Sequence, residues 1–274
     1  MNHTEPRAHV GDCRWLPFGI ETHSSIVSAH RSLITKYQIR EFCRFAYIAD
    51  KEARSDLVSG WIRDEDDYTS NFTGALRRII NSNSRSGLTA TSFLLKPNLE
   101  RAMGCDATII IASQTEMKIA VFEAKLPRLS KPTAQWDRPQ TSAGLSHFSD
   151  QLDRQKAFKA DFAIFEMFYC DLPFGQQPQY MKNEVSSCVW HDNAVQFDST
   201  RSGARPPWTR ADLVQLLQLG NIDISGVLKS LCSCSVGKPI PAPRAGAEAM
   251  ISDFHLSGHV LFVRAEGVPK QFEG

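Results

Sequence analysis

No stretch of this chain approaches the roughly 18 to 20 apolar residues of a membrane span. The first residues, M-N-H-T-E-P-R-A-H-V, lack the apolar core of a secretory signal. The expectation is a soluble cytoplasmic protein with reduced thiols and no membrane partner. An excess of one charge is missing too. The 31 Lys and Arg stand against 30 Asp and Glu, so no global field draws in nucleic acid, and any such contact must come from a local basic patch. The seven cysteines are odd in number, scattered, and contain no C-x-x-C pair. That argues against a disulfide framework and a zinc knuckle. Cys232 and Cys234 form a C-x-C with no second pair nearby. Neither G-x-x-x-x-G-K-[ST] nor G-x-G-x-x-G occurs, which leaves nucleotide-driven chemistry without support. Nor is there an internal repeat.

What is present is a periodic, apolar chain. Apolar residues make up 42% of it, enough for a sizeable core and too many for wholesale disorder. After an irregular arm to about residue 25, apolar residues recur at three- and four-residue steps from Ser25 to Trp61, which predicts two helices. R-D-E-D-D-Y-T-S-N-F-T-G-A-L-R-R-I-I-N places acids first and Arg77 and Arg78 late, as a helix macrodipole favours. Phe72, Leu76, Ile79 and Ile80 give it a buried face. Asn81 to Gly87 then reads as a loop. From there the period shortens to that of strands: Leu88–Leu95, Ala107–Ala112 and Met117–Lys125. A polar, Pro-rich loop covers 127–142. A helix is expected over 143–160, with His147, Gln151 and Arg154 on its polar face and Leu145, Phe148 and Leu152 turned to the core. Strands are expected within 161–170 and 186–191. A capping-box variant, Thr209 to Asp212, opens a helix that Gly220 closes. Residues 237–246 read as a linker, and His259–Arg264 as a closing strand. The order implies an α/β (α+β) fold, a central mixed sheet flanked by helices. Its parts are a helical N-terminal extension (1–59), a core (60–170) and C-terminal elements (171–274) completing or extending the same domain.

The second and third strands are joined by S-Q-T-E. A tight turn between Gln114 and Thr115 pairs residues whose numbers sum to 229, so Asp106 faces Glu123. Gln-Thr is not a favoured two-residue turn, and a slip by one residue would put the two carboxylates on opposite faces. In the expected register the carboxylates repel unless a cation joins them. Lys125, two residues on, shares the face of Glu123 and can orient or deprotonate a water or offset negative charge. Another Glu-x-Lys, Glu116-Met117-Lys118, falls at the turn, where solvated charge is ordinary. The bland alternative is that Asp106 and Glu123 mark where the hairpin leaves the core, with Lys125 as their ion-pair partner.

G-C-D before one strand and V-F-E-A-K at the end of the next resembles the PD-(D/E)xK nuclease superfamily, with its restriction-endonuclease-like fold. The likeness covers residues 60 to 170, and its layout is similar to bacterial restriction and phage-defence nucleases. Cys105 stands where that pattern often has Pro. The resemblance implies a Mg²⁺-dependent endonuclease, with Mn²⁺ able to substitute. Asp106, Glu123 and the Ala124 carbonyl would hold the metal, Lys125 would serve the attacking water, and Gln151 would be the Gln of the following helix. Glu65, or one of its neighbours Asp64, Asp66 and Asp67, would be the helical acid. It further implies nucleic acid as partner, DNA before RNA, an activating protein or ligand, and a homodimer for cutting both strands. The alternatives are a catalytically idle module that binds nucleic acid or protein, an RNA-cleaving effector, or a hydrolase of small phosphates. Secondary candidates are His147 as a base and His255 with His259 as a metal pair. Two basic patches could touch phosphates or bases: Arg128, Lys131 and Arg138 around Trp136, and Arg201, Arg205 and Arg210 around Trp208.

Overall fold

Thr35 opens the first helix. Its hydroxyl accepts from Gln38 N–H while the Gln38 side chain takes the Thr35 N–H, a capping box that starts α1 (Lys36–Val58). No Gly or Pro interrupts these residues, so the described part of the region expected to hold two helices carries one unbroken helix from Lys36 to Val58. Its stripe of Ile39, Phe42, Ala46, Ala49, Ala53 and Leu57 is buried. The computed structural model describes residues 32–94, 104–131, 136–137, 144–201, 203–242 and 259–267. The start of the expected helical region at Ser25, together with Leu95, Arg138, Ala143 and His255, lies outside them.

Asp64 caps α2 (Glu65–Asn83) by accepting from Asp67 N–H at 2.9 Å. Phe72, Leu76 and Ile80 are fully buried. The helix runs into what the sequence suggested was a loop, ending at Asn83. The sheet holds β1 (Leu88–Leu94), β2 (Ala107–Ala112), β3 (Glu116–Lys125), β4 (Ala163–Phe168), β5 (Ser187–Trp190), β6 (Ile240–Pro241) and β7 (His259–Ala265). Its order is β1-β7-β2-β3-β4-β5, with β6 beside the start of β3. The pairs β2–β7 and β3–β4 are parallel and the rest antiparallel, so the sheet is mixed. The strand expected to close the fold, β7, therefore lies inside the sheet, and β6 sits within the expected linker. Between the strands come α3 (His147–Gln155), a 3-10 turn (Lys156–Phe158), α4 (His191–Thr200), α5 (Arg210–Gly220) and α6 (Ile224–Cys232). The sequence reading missed α4 and α6. Leu145 precedes α3 and is exposed rather than core, because Ser146 caps the helix after it. Gly220 is the last residue of α5, with Asn221 as its cap.

Helices α1, α2 and α6 cover one face of the sheet, against Ala120, Phe122, Ala124 and Phe165. The other face carries Ile110, Ile119, Val121 and Ile164. Beside them, α3, α4 and α5 close over Phe168, Phe148 and Trp208. The β2–β3 register runs from Ala107↔Phe122 to Ala112↔Met117, the 229 sum expected. Ser113 holds it. Its hydroxyl accepts from Glu116 N–H at 3.0 Å and donates to Glu116 O at 2.9 Å, supplying the order that Gln-Thr lacks. Among the described residues, no helix is long and apolar enough to cross a membrane.

Candidate active site

Strand β3 outruns β2. Asp106 N–H donates to Phe122 O at 2.9 Å, the last ladder bond at that end. The next peptide groups facing the same edge belong to Ala124 and, one residue past the end of β3, Leu126. Two carboxylates take their donors: Ala124 N–H reaches Asp106 Oδ2 at 2.7 Å, and Leu126 N–H reaches Glu65 Oε1 at 2.7 Å. Where a strand would be, acids from the start of β2 and the start of α2 line up along the edge.

Alternation in β3 sends Ala124 and Leu126 to the apolar side, and Glu123 and Lys125 to the face covered by α3. Lys125 Nζ and Gln151 Nε2, the latter from α3, both donate to Glu123 Oε1. Glu123 is 2% exposed, and Lys125 and Gln151 are 6% each, so this is no solvated strand end. Burial, then the charge of Asp106, pushes the Glu123 carboxyl well above its ordinary range. Burial alone would depress Lys125. The fields of Glu123, Glu65 and Asp106 outweigh it and hold the ammonium above its usual value. The Lys125 ammonium also lies 5.9 Å from the centre of the Phe148 ring.

Glu65, Asp106, Glu123, Lys125 and Gln151 all line one cleft of about 400 Å³, with Arg128 and His147 at its walls. Of the acids at the start of α2, Glu65 is the one bonded to β3. Asp64 caps the helix, Asp66 meets His259 at 3.2 Å, and Asp67 accepts from Arg63 N–H. His147 is exposed, and burial, then Lys125, lowers its pKa. Among the described residues, no three His, Cys, Asp or Glu side chains already form a metal cluster. Asp106 and Glu65 are turned onto N–H groups and Glu123 onto Lys125.

Both basic patches need correction. Trp136 is buried, its indole N–H on Thr209 O and its ring against Phe148, Phe168 and Trp208. Arg138 lies outside the described residues, which leaves Arg128 in the cleft wall and Lys131 exposed. Trp208 is 1% exposed beneath the Arg201 guanidinium. Arg201 pairs with Asp198 and Asp212, and Arg205 with Asp153 and Asp198, so that patch is neutralised from within. Arg210 sits by the Tyr180 hydroxyl. The second Glu-x-Lys is not a hairpin tip either. Glu116 begins β3, and Lys118 is buried with its ammonium on Val236 O. His259 starts β7 and pairs with Asp66.

Two features went unread in the sequence. Asp137 is buried and accepts from Ser146 Oγ, Phe148 N–H and Trp208 N–H, fixing the start of α3 at the cleft. Glu166 of β4 is the register partner of Glu123 and sits 3.2 Å from His191 Nδ1, with Glu166 Oε2 and His191 Nε2 unpartnered. A Glu inside the apolar run A-I-F-E-M-F was the available signal. Comparison with family models, curated proteins and solved structures finds no match for this chain.

Proposed function

We propose that this protein is a Mg²⁺-dependent nuclease, a DNA endonuclease built on a restriction-endonuclease-like core. The observation that carries the reading is the meeting of Glu65, Asp106, Glu123, Lys125 and Gln151 in one cleft. Oxygen donors of this kind suit a hard cation. Glu123, with its pKa raised by burial and by Asp106, is a carboxylate that a positive charge would stabilise. Gln151 Oε1 is buried without a partner and could accept from a water. Asp106, Glu123 and the Ala124 carbonyl would hold the ion, with Glu65 at the other end of the edge. When bound, the ion would supply Lewis acidity and lower the pKa of a water.

The chain's own groups do the remainder. Lys125 keeps its proton in this field, so it donates: it orients the attacking water and offsets charge gathering on the phosphate, rather than taking a proton. Gln151 fixes the Glu123 rotamer. The Phe148 ring lies 5.9 Å from the ammonium, and Arg128 meets phosphate at the mouth. A nuclease is hazardous to its host, so we place it in defence or DNA processing under control of a partner or ligand, an analogy from the family resemblance.

A second reading, an idle binding module, is favoured by one fact: all three carboxylates accept from groups of the chain itself. Supercoiled plasmid and a structured RNA, each incubated with Mg²⁺, Mn²⁺ or EDTA, separate the two. Metal-dependent nicking of the plasmid is expected. Hydrolysis of RNA alone would make the protein an RNA-cleaving effector. Hydrolysis of neither polymer under any metal contradicts the nuclease reading and favours the idle module.

A further inference from the structure

Trp61 is 81% exposed, more than any other large apolar side chain among the described residues. An indole in water is unusual, and this one is not on a loose tether. Gly60, at φ +80°, ends α1 in a Schellman motif. Gly60 N–H donates to Leu57 O at 3.1 Å, and Trp61 N–H to Asp56 O at 2.9 Å. The next residue, Ile62, is buried in the core against the α1–α2 pair. The backbone beneath the indole is thus fixed on both sides.

The position is beside the cleft. The Arg128 guanidinium, which lines the cleft, bonds the carbonyl of Arg63. Asp64 lines it as well, and Glu65 reaches Leu126 N–H. Trp61 stands four positions before Glu65, a reach of at most about 14 Å. The charges alongside are mixed, with Arg63 and Arg128 standing among Asp56, Asp64, Glu65, Asp66 and Asp67. Arg63 is exposed and Arg128 half-buried. Of the nearby acids, Asp64 caps α2, Asp67 accepts from Arg63 N–H, and Asp66 faces His259.

We propose that Trp61 is a base-stacking platform at the mouth of the cleft, which makes the substrate DNA that offers an unpaired base, single-stranded or locally opened. The proposal rests on the nuclease reading of the cleft and narrows its substrate. A lone exposed indole, two residues before the exposed Arg63, fits a base with its phosphate. A protein-docking surface would need contiguous apolar area, and Gly60, Arg63 and Asp64 do not provide it. Only an unstacked base offers its face to a side chain, because a duplex keeps its faces covered.

The test is fluorescence anisotropy in EDTA, with a short labelled single strand and the matching blunt duplex, on wild type, Trp61→Ala and Trp61→Phe. Because the side chain is exposed, both variants should melt like wild type. Trp61→Ala should weaken single-strand binding by roughly 5- to 150-fold. Trp61→Phe should restore most of it, and duplex binding should barely change. Equal weakening of both DNAs, no weakening, or no single-strand binding by wild type overturns the proposal. So does a Trp61-dependent self-association with DNA binding intact, which would assign the indole to a protein contact. Failure of the nuclease reading looks different: Trp61-dependent binding of single strands with no metal-dependent cleavage leaves the stacking intact and removes the catalysis. Cleavage with Trp61→Ala indistinguishable from wild type on both DNAs does the reverse.

Discussion

Glu123 and Lys125 share a hydrogen bond in a place nearly closed to water, and such a pair is a poor source of stability. Desolvating both ions costs about as much as their attraction returns, while removing one partner strands the other. Lys125→Met alone is therefore expected to destabilise the fold by about 3 to 5 kcal/mol, and the double variant Glu123→Gln/Lys125→Met by less, or not at all. Denaturant melts decide it: a double variant weaker than Lys125→Met would show that the pair serves stability rather than chemistry. These residues were legible in the sequence because charges ending an apolar, period-two run stand out, and because the hairpin arithmetic puts Asp106 opposite Glu123. Trp136 and Trp208 were misread for the opposite reason. Arg201 and Arg205 are neutralised by Asp153 and Asp198, and Asp153 is supplied by α3, an element remote in sequence. No local pattern records the Arg205–Asp153 pair, whereas Arg201–Asp198 is an i,i+3 pair that the sequence did offer.

At the scale of elements, α1 does more than fill the core. Glu41 accepts from Ser84 Oγ, Arg85 N–H, Ser86 N–H and Ser86 Oγ, and so ties α1 to the turn that leads into β1. Burial works against the Glu41 carboxylate, but the bonds from Ser86, Arg85 and Ser84 prevail and its pKa is lowered from 4.5. A depressed carboxyl contributes stability above its unfolded value that is lost as pH falls through the folded one. Glu41→Gln should thus cost on the order of 1 kcal/mol near neutrality. Melts from pH 7 down past 4.5 should show the gap to wild type closing. A gap independent of pH would mean that the ionised form is not what holds the turn. The hairpin makes a parallel claim: Ser113→Ala, which removes the hydroxyl bonded at Glu116, should cost about 1 kcal/mol by thermal melt. Helix α4 escaped the sequence reading because its buried positions, His191, Ala194 and Phe197, include only one large apolar side chain. In α6, Gly226 breaks an otherwise readable pattern of Ile224, Val227, Leu228 and Leu231.

At the scale of the molecule, the mixed sheet is closed by residues far apart in the chain. β7 enters between β1 and β2, pairing with both along its length. The parallel β2–β7 contact joins residues about 150 apart in sequence, which is why a strand legible by composition was not legible by place. A chain cut after residue 242 should fail to fold, since β1 would lose its only sheet partner among the described residues. A soluble truncated protein with a cooperative melt would contradict that. If the cleft holds Mg²⁺, saturating metal at about 100 times its Kd adds roughly 2.7 kcal/mol. That should raise Tm by about 5 to 10 °C, and Asp106→Ala should abolish the rise.

The central claim is that this cleft hydrolyses phosphodiester bonds, and the most direct measurement is plasmid nicking at equal folded concentration by wild type, Asp106→Ala and Lys125→Ala with Mg²⁺. We expect wild type to nick or linearise the plasmid, and each variant to be slower by on the order of 10² or more. Cleavage by either variant at the wild-type rate, or wild-type cleavage that survives EDTA, would contradict it.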